Sequence, residues 1–291
     1  MVNTLERCEG AFIGHAIASN YDASIYLALD VCESLLEEKK FNGQDIFARH
    51  MYRYHTTKCE VGTIAKDVYQ LTIQNLKDSN NLTKRSFHLD EKVIDDIVGL
   101  TDKNNGGHTA GCGPAQRSYP IAFCSFIHDD DVFDCSILEA KLTHSSPLAG
   151  QVAGIVNVIC RSLLKNEPWS TAVNSAFSTP NLHDDVSAAL ARHNRFPTPL
   201  VQTHAAYAPT VLNAALHIIA RSTSPQQAFE FMKTIGQPYC ASIVGILAGA
   251  RWGIPMEMYK DKVNNVQLRT LREAACKLND LFKIKSDKPI A

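Results

Sequence analysis

Long uncharged apolar runs are missing from this sequence. No stretch of about 18 such residues occurs, and the opening MVNTLERCEG carries acids without an apolar run of signal-peptide length. Those two absences argue against a membrane span and a secretory leader, so a cytoplasmic setting is the expectation. An excess of one charge is missing as well. Lys plus Arg number 29 against 30 for Asp plus Glu, which leaves no global field to draw in nucleic acid or an anionic membrane. A small or neutral partner fits better. The nine cysteines contain no CxxC pair and their number is odd, so buried free thiols in a reducing compartment are expected rather than a disulfide framework or zinc site. Sustained period-two alternation, internal repeats and a long polar linker are also absent. Their absence argues against a sheet-based fold, a solenoid and a two-domain chain.

What remains is an all-α chain, expected to form one domain over residues 1–291. Hydrophobic residues make up 45% of it and charged residues 20%, enough apolar material for a core. Helical spacing predicts helices over 5–18, 23–36, 44–54, 61–76 and 90–100, with a polar turn at 77–81. Segment 102–113, DKNNGGHTAGCG, holds four glycines in twelve residues and predicts a loop with unusual backbone angles. Further helices are predicted over 118–126, 137–142, 148–164, 170–177 and 183–191. Pro197, Pro199 and Pro209 punctuate the next connection before 210–221 and 226–235. Gly245 and Gly249 lie four apart and leave a flat helix face for close packing. An amphipathic tail over 263–282 closes the pattern, with fraying expected over 283–291.

Several segments in order carry a family resemblance. EGAFIGHAIAS (9–19) is similar to a first helix written GALLGxAxGDA, and YDASIYLALDVCESLLE (21–37) to DDTxMxLALAESLLE. GGHTAGCGPAQRSYPIAF (106–123) resembles the glycine loop GSYGNGxAMRxAPIxL, with Gly111, Gly113, Arg117 and Pro120 in register. LTHSSPLA (142–149) resembles THxxPxA, and ASIVGILAGARWGIP (241–255) the helix that follows a GGDTDT motif. Together they resemble the ADP-ribosylglycohydrolase superfamily. The resemblance implies a compact orthogonal multi-helix bundle that binds ADP-ribose in a cleft beside two magnesium or manganese ions. The candidate ligand-binding set is Gly107, His108, Thr109, Gly111, Cys112, Gly113, Arg117 and His144. The loop offers amides that could nest a diphosphate, although an ordinary glycine-rich turn gives the same sequence. Arg117 is open between a phosphate and a backbone carbonyl, and His144 also suits the orienting of a neighbouring loop.

The departures bear on mechanism, because hard divalent ions need several carboxylate oxygens around one cavity. Where the family has TDDT this chain has Asn20, Tyr21, Asp22 and Ala23, and where it has GGDTDT the chain reads TIGQPYC (234–240), without an acid. The insert that usually carries a catalytic glutamate between the first two helices is absent after Ser19. Asp22 and Glu60, the latter in CEVGT, are the only acids the resemblance carries over. They are the catalytic candidates if the chain is active, and the ligands of one weakly held Mg or Mn ion at most; no cofactor is expected.

Two functional readings follow. One is a non-catalytic member that keeps the fold for ligand binding, assembly or a structural role. The other is an active hydrolase of an N- or O-glycosidic bond of ADP-ribose or a related nucleotide, rebuilt around Asp22, Glu60, the loop and His144. The shortened connection between the first helices also leads to an expected homo-oligomer, since it would open the cleft or expose an apolar patch. His128 with Asp129, Asp130 and Asp131, and His183 with Asp184 and Asp185, fit helix starts better than metal sites. Cys112 with His108 or His144 fits a small core thiol better than a nucleophile and its base.

Overall fold

The computed structural model describes residues 2–76, 82–192 and 205–286, with side chains to residue 280. The predicted turn at 77–81 and the prolines Pro197 and Pro199 lie outside the described residues. The helices are α1 (Thr4–Ala18), α2 (Ala23–Glu38), α3 (Gly43–Thr57), α4 (Thr63–Asn75), α5 (Glu91–Asn104), α6 (Gly113–Arg117), α7 (Pro120–Phe123) and α8 (Val132–Lys141). They continue as α9 (Pro147–Leu164), α10 (Trp169–Phe177), α11 (Asp184–Ala191), α12 (Ala208–Arg221), α13 (Pro225–Ile235), α14 (Ala241–Trp252) and α15 (Asn265–Ser286). The architecture is all-α, with no strand among the described residues.

Helix α9 runs through the middle and packs on α6, α7, α8, α10, α12 and α14. By length and composition it is apolar enough to cross a membrane, with a mean hydropathy of 1.4, yet 78% of it is buried inside the protein. The sequence scan passed over it because Arg161 interrupts the run. That guanidinium is buried, and its Nη2 donates to the carbonyls of Ile121, Cys124 and Ile127 at 3.3, 2.9 and 3.2 Å. It ties the chain around α7 to the core helix.

The closest packing is between α1 and α14. A Cβ built on Gly249 would lie 1.9 Å from the Gly10 carbonyl oxygen, and one on Gly245 2.2 Å from that of Gly14. The reciprocal positions are as tight, 2.5 Å for Gly10 and 2.2 Å for Gly14. Each helix carries glycines four apart, so both present a flat stripe and the two backbones touch.

Several boundaries moved for physical reasons. The loop predicted from 102 begins only after Asn104, because Gly106 and Gly107 adopt φ of 61° and 78° and close the end of α5. The helix predicted over 118–126 is cut to α7, Pro120–Phe123: Pro120 starts it and separates it from α6, and Cys124 is already extended. The last helix runs past the expected fraying point at 283 to Ser286. His183 caps α11, its side chain accepting from the Asp185 amide, and Asp184 and Asp185 fill the first turn. Asp129 to Asp131 form a short 3₁₀ turn leading into α8. Both acidic clusters are helix starts.

Two alanine substitutions separate close approach from glycine's intrinsic cost. Gly249→Ala has only backbone to displace and is expected to lose about 3 kcal/mol or more in urea unfolding. Gly99→Ala, in α5 with nothing within 4 Å of its added carbon, is expected to gain about 0.5–1 kcal/mol. Similar effects at both positions would refute the backbone contact.

Candidate functional site

Helices α2 and α3 run antiparallel, stapled by charge. Arg49 reaches Glu33 at 3.2 Å, and Arg53 grips both oxygens of Asp30 at 2.7 and 2.5 Å while lying over the Tyr26 ring. Moving along α3 from Arg49 to Arg53 therefore moves back along α2 from Glu33 to Tyr26. Asp22 stands at the start of α2 and Glu60 follows the end of α3, and no hydrogen bond or ion pair joins the two among the described residues. Glu60 is exposed.

Asp22 already has a structural task. It is the N-cap of α2, its Oδ1 accepting from the Ser24 amide at 2.9 Å and from the Ser24 hydroxyl at 2.5 Å. The network continues inward. Because the Ser24 proton goes to a carboxylate, which only accepts, Ser24 Oγ accepts from His15 Nε2 at 2.7 Å. His15 Nδ1 is then bare and accepts from the Tyr119 hydroxyl at 3.4 Å. This supplies the partner for His15 that the sequence did not reveal. The imidazole is fully buried, and burial, opposed by the Asp22 charge, lowers its pKa to about 4. Between α1 and α2, Asn20 and Tyr21 both take left-handed backbone angles, φ 55° and 57°, which costs on the order of 1–3 kcal/mol each. The short connection is held by the Tyr21 amide donating to the Ala16 carbonyl at 2.7 Å and by the Tyr21 ring edge-on to Tyr26.

The glycine loop divides into an exposed crest and an inner arm. In the crest the amides of Gly106, Gly107 and His108 donate to Lys103, Asp102 and Asn105 at 3.1, 2.9 and 3.1 Å. The inner arm is strapped to the segment before α12: the Cys112 amide donates to Ala206 at 3.0 Å and the Ala208 amide to Ala110 at 2.9 Å. The Thr109 hydroxyl donates to Asp102 at 2.5 Å and accepts from the Ser146 amide at 3.1 Å. The expected row of free amides for a diphosphate is therefore corrected at Gly107, His108 and Cys112, whose N–H groups are engaged within the protein, and the Thr109 hydroxyl is engaged likewise. Cys112 is buried, its thiol pushed up to about 12 by that burial, with Gln116 Nε2 3.6 Å from the sulfur. A thiolate nucleophile is not available there.

Beneath the inner arm sits His144. A Cβ on Gly111 would lie 3.0 Å from its Nε2, tighter than side chains usually pack, so the imidazole accounts for glycine there; one on Gly113 would sit 3.6 Å from Cε1, in ordinary contact. Arg117, 1% exposed, donates through Nε to Glu139 at 2.6 Å and through Nη2 to Thr143 at 2.8 Å. Of the two partners left open for it, a phosphate and a carbonyl, neither is engaged here: its partners are a buried carboxylate and a hydroxyl. The Glu139 carboxyl is pushed up by burial against the pull of Arg117. We assign the pair as ionic, because a guanidinium holds its proton in any protein setting. Thr143 Oγ1 and His144 Nδ1 are 2.7 Å apart. Segment 234–240, which replaces the acidic motif, is closed on itself. Gln237, 2% exposed, donates to Ala205 at 2.8 Å and accepts from the Tyr239 amide at 3.0 Å, and Gln116 bonds the Tyr239 carbonyl at 3.0 Å.

A family model described as ADP-ribosylglycohydrolase matches residues 3–287. The chain belongs to the ADP-ribosylglycohydrolase family. The fold agrees with a solved structure described as an "ADP-ribosylglycohydrolase-related protein complex", at a TM-score of 0.71 and 18% identity, covering 97% of this chain and 99% of that one. No curated protein matches in sequence.

In this family member the carried-over donor set fits a pair of hard divalent ions poorly. Among the described residues no three His, Cys, Asp or Glu side chains are grouped to hold one. Sequence reasoning missed Ser24, Tyr119, Glu139, Thr143 and Gln237. Ser24 was within reach, two residues beyond an N-cap aspartate. Thr143 stands inside the motif already quoted. Glu139, one turn before it, carries no local signal.

The buried histidines leave a pH signature. His15 has a folded pKa of about 4 against an ordinary 6.5, so the unfolded chain binds more protons between those values. Stability is therefore full above about pH 6.5 and falls as pH drops toward 4, by about 3 kcal/mol for His15 alone. Urea unfolding across that window is expected to show the slope, and His15→Gln to flatten it in part, since His144, lowered to about 3, still contributes. An unchanged slope in His15→Gln would contradict the assignment.

Proposed function

We propose that this chain is a cytoplasmic, non-hydrolytic member of the family that keeps the cleft as a binding site for ADP-ribose or a related nucleotide and does not operate a dinuclear metal centre. The observation that carries the reading is the state of Asp22. It is the one acid retained from the first metal motif, and one of its oxygens accepts two hydrogen bonds as the cap of α2. A metal ligand at this position would compete with that cap, and the second motif brings no carboxylate to help. The family's hydrolytic chemistry needs a positioned water and a group to take its proton. Glu60 is exposed, and one oxygen of Asp22 is taken up by Ser24. His144, 4% exposed under the glycines, and the inner loop arm are the polar features left for a ligand. Nucleic acid and membrane remain poor partners for a chain of net charge −1.

One observation favours the alternative of a rebuilt hydrolase: Asp22 is exposed, and its second oxygen is free to meet a substrate. Asp22→Asn separates the two, because asparagine caps a helix as well as aspartate and cannot act as a base. Calorimetric titration with ADP-ribose in the absence of divalent ions is expected to give binding that Asp22→Asn changes by less than about threefold. No release of ADP-ribose from an ADP-ribosylated peptide is expected from either protein. Magnesium-dependent release abolished by Asp22→Asn would overturn the proposal.

A further inference from the structure

The hydrogen bonds around His144 fix more than its position. The Arg117 guanidinium has only donors, and its Nη2–H points at Thr143 Oγ1 from 2.8 Å while Nε–H is held by Glu139. Thr143 Oγ1, accepting from Arg117, has one proton of its own to place, and His144 Nδ1 stands 2.7 Å away. If His144 instead donated from Nδ1, the threonine oxygen would face two donors, and its own proton would have neither of its two hydrogen-bonded neighbours as an acceptor, while Glu139 Oε2 stands without a partner of its own. The arrangement that gives Thr143 and His144 a complementary donor and acceptor has Thr143 donating to a bare Nδ1. The neutral ring then carries its hydrogen on Nε2, the atom that lies against Gly111 and has no hydrogen-bond partner among the described residues. Doubly protonated imidazole is opposed twice. A proton on Nδ1 would meet the threonine proton, and burial together with the Arg117 charge lowers the ring's pKa to about 3. The charged groups facing the ring are Arg117 from α6 and, through it, Glu139 from α8.

We propose that Glu139, Arg117 and Thr143 are positioning residues that lock His144 in the Nε2–H tautomer, so that this point of the cleft presents a fixed donor and reads an acceptor oxygen on the ligand rather than binding a metal or a cation. The role of the ligand rests on the reading of the cleft given above; the tautomer does not. A neutral histidine can ligate a metal only through a bare nitrogen, and here the bare nitrogen is turned inward to Thr143. The glycine at 111 completes the device, since a side chain there would crowd the ring at its Nε2.

The tautomer is measurable in the free protein by long-range proton–nitrogen correlation on histidine labelled with ¹⁵N, with His144 assigned by its loss in His144→Gln. At neutral pH, Nδ1 is expected to resonate as an unprotonated nitrogen and Nε2 as a protonated one. Thr143→Val is expected to mix the tautomers and to weaken ADP-ribose binding about tenfold, while Thr143→Ser restores both. A proton on Nδ1 in the wild type, a doubly protonated ring at neutral pH, or a valine variant with the tautomer unchanged would each overturn the proposal. ADP-ribose that binds without moving the His144 Nε2 resonance would also overturn it. If ADP-ribose fails to bind at all, the ligand reading falls while the tautomer measurement still decides the relay.

Discussion

The backbone contact between α1 and α14 is the constraint on which the rest of the site depends. Gly10 and Gly14 face Gly249 and Gly245 with no room for a single added carbon, so the two helices have one register and one distance. His15 follows Gly14 directly, and its ring is thereby delivered to Ser24 and Tyr119. At the other end, α14 starts from the Tyr239–Cys240 turn, whose carbonyl holds Gln116 on α6. The glycine loop, the first helix and the segment replacing the acidic motif are all located by this one packing event. Glycine in a helix is intrinsically unfavourable by up to about 1 kcal/mol, and the close approach of two apolar helices offsets that cost with dispersion contacts.

Around that frame the chain has put two hydrogen-bond relays, one at the remnant of the first metal motif and one beneath the glycine loop. One relay runs from Tyr119 through His15 and Ser24 to Asp22; the other runs from Glu139 through Arg117 and Thr143 to His144. In each a buried, neutral histidine has a defined hydrogen position, which is consistent only with low local dielectric and fully assigned donors. The consequences differ. The first relay ties its carboxylate to the start of α2, whereas the second leaves an N–H beside the loop.

The all-α architecture was legible because helical periodicity is strong over α2, α9 and α12, and because no segment alternates. The family was legible because its motifs are local and keep their order. The flat face of Gly245 and Gly249 pointed to close packing but could not name its partner. The hydrogen bonds of the loop's inner arm were not legible, since they depend on Ala206 and Ala208, nearly a hundred residues away. Arg117 misled for a related reason: an arginine beside a glycine loop reads as a phosphate binder until a carboxylate is found beneath it, and Glu139 comes from another helix. Pro120 was visible in the sequence and marks a helix start, which the helix predicted from 118 overran.

The central claim is that the family's fold survives here without its paired divalent-ion site. Titration of the purified protein with manganese, followed by the electron paramagnetic resonance signal of the free aqueous ion, tests it without reference to any substrate. The account expects the free-ion signal to persist when protein and manganese are mixed in equal amounts. Loss of that signal with two ions taken up per chain would contradict it.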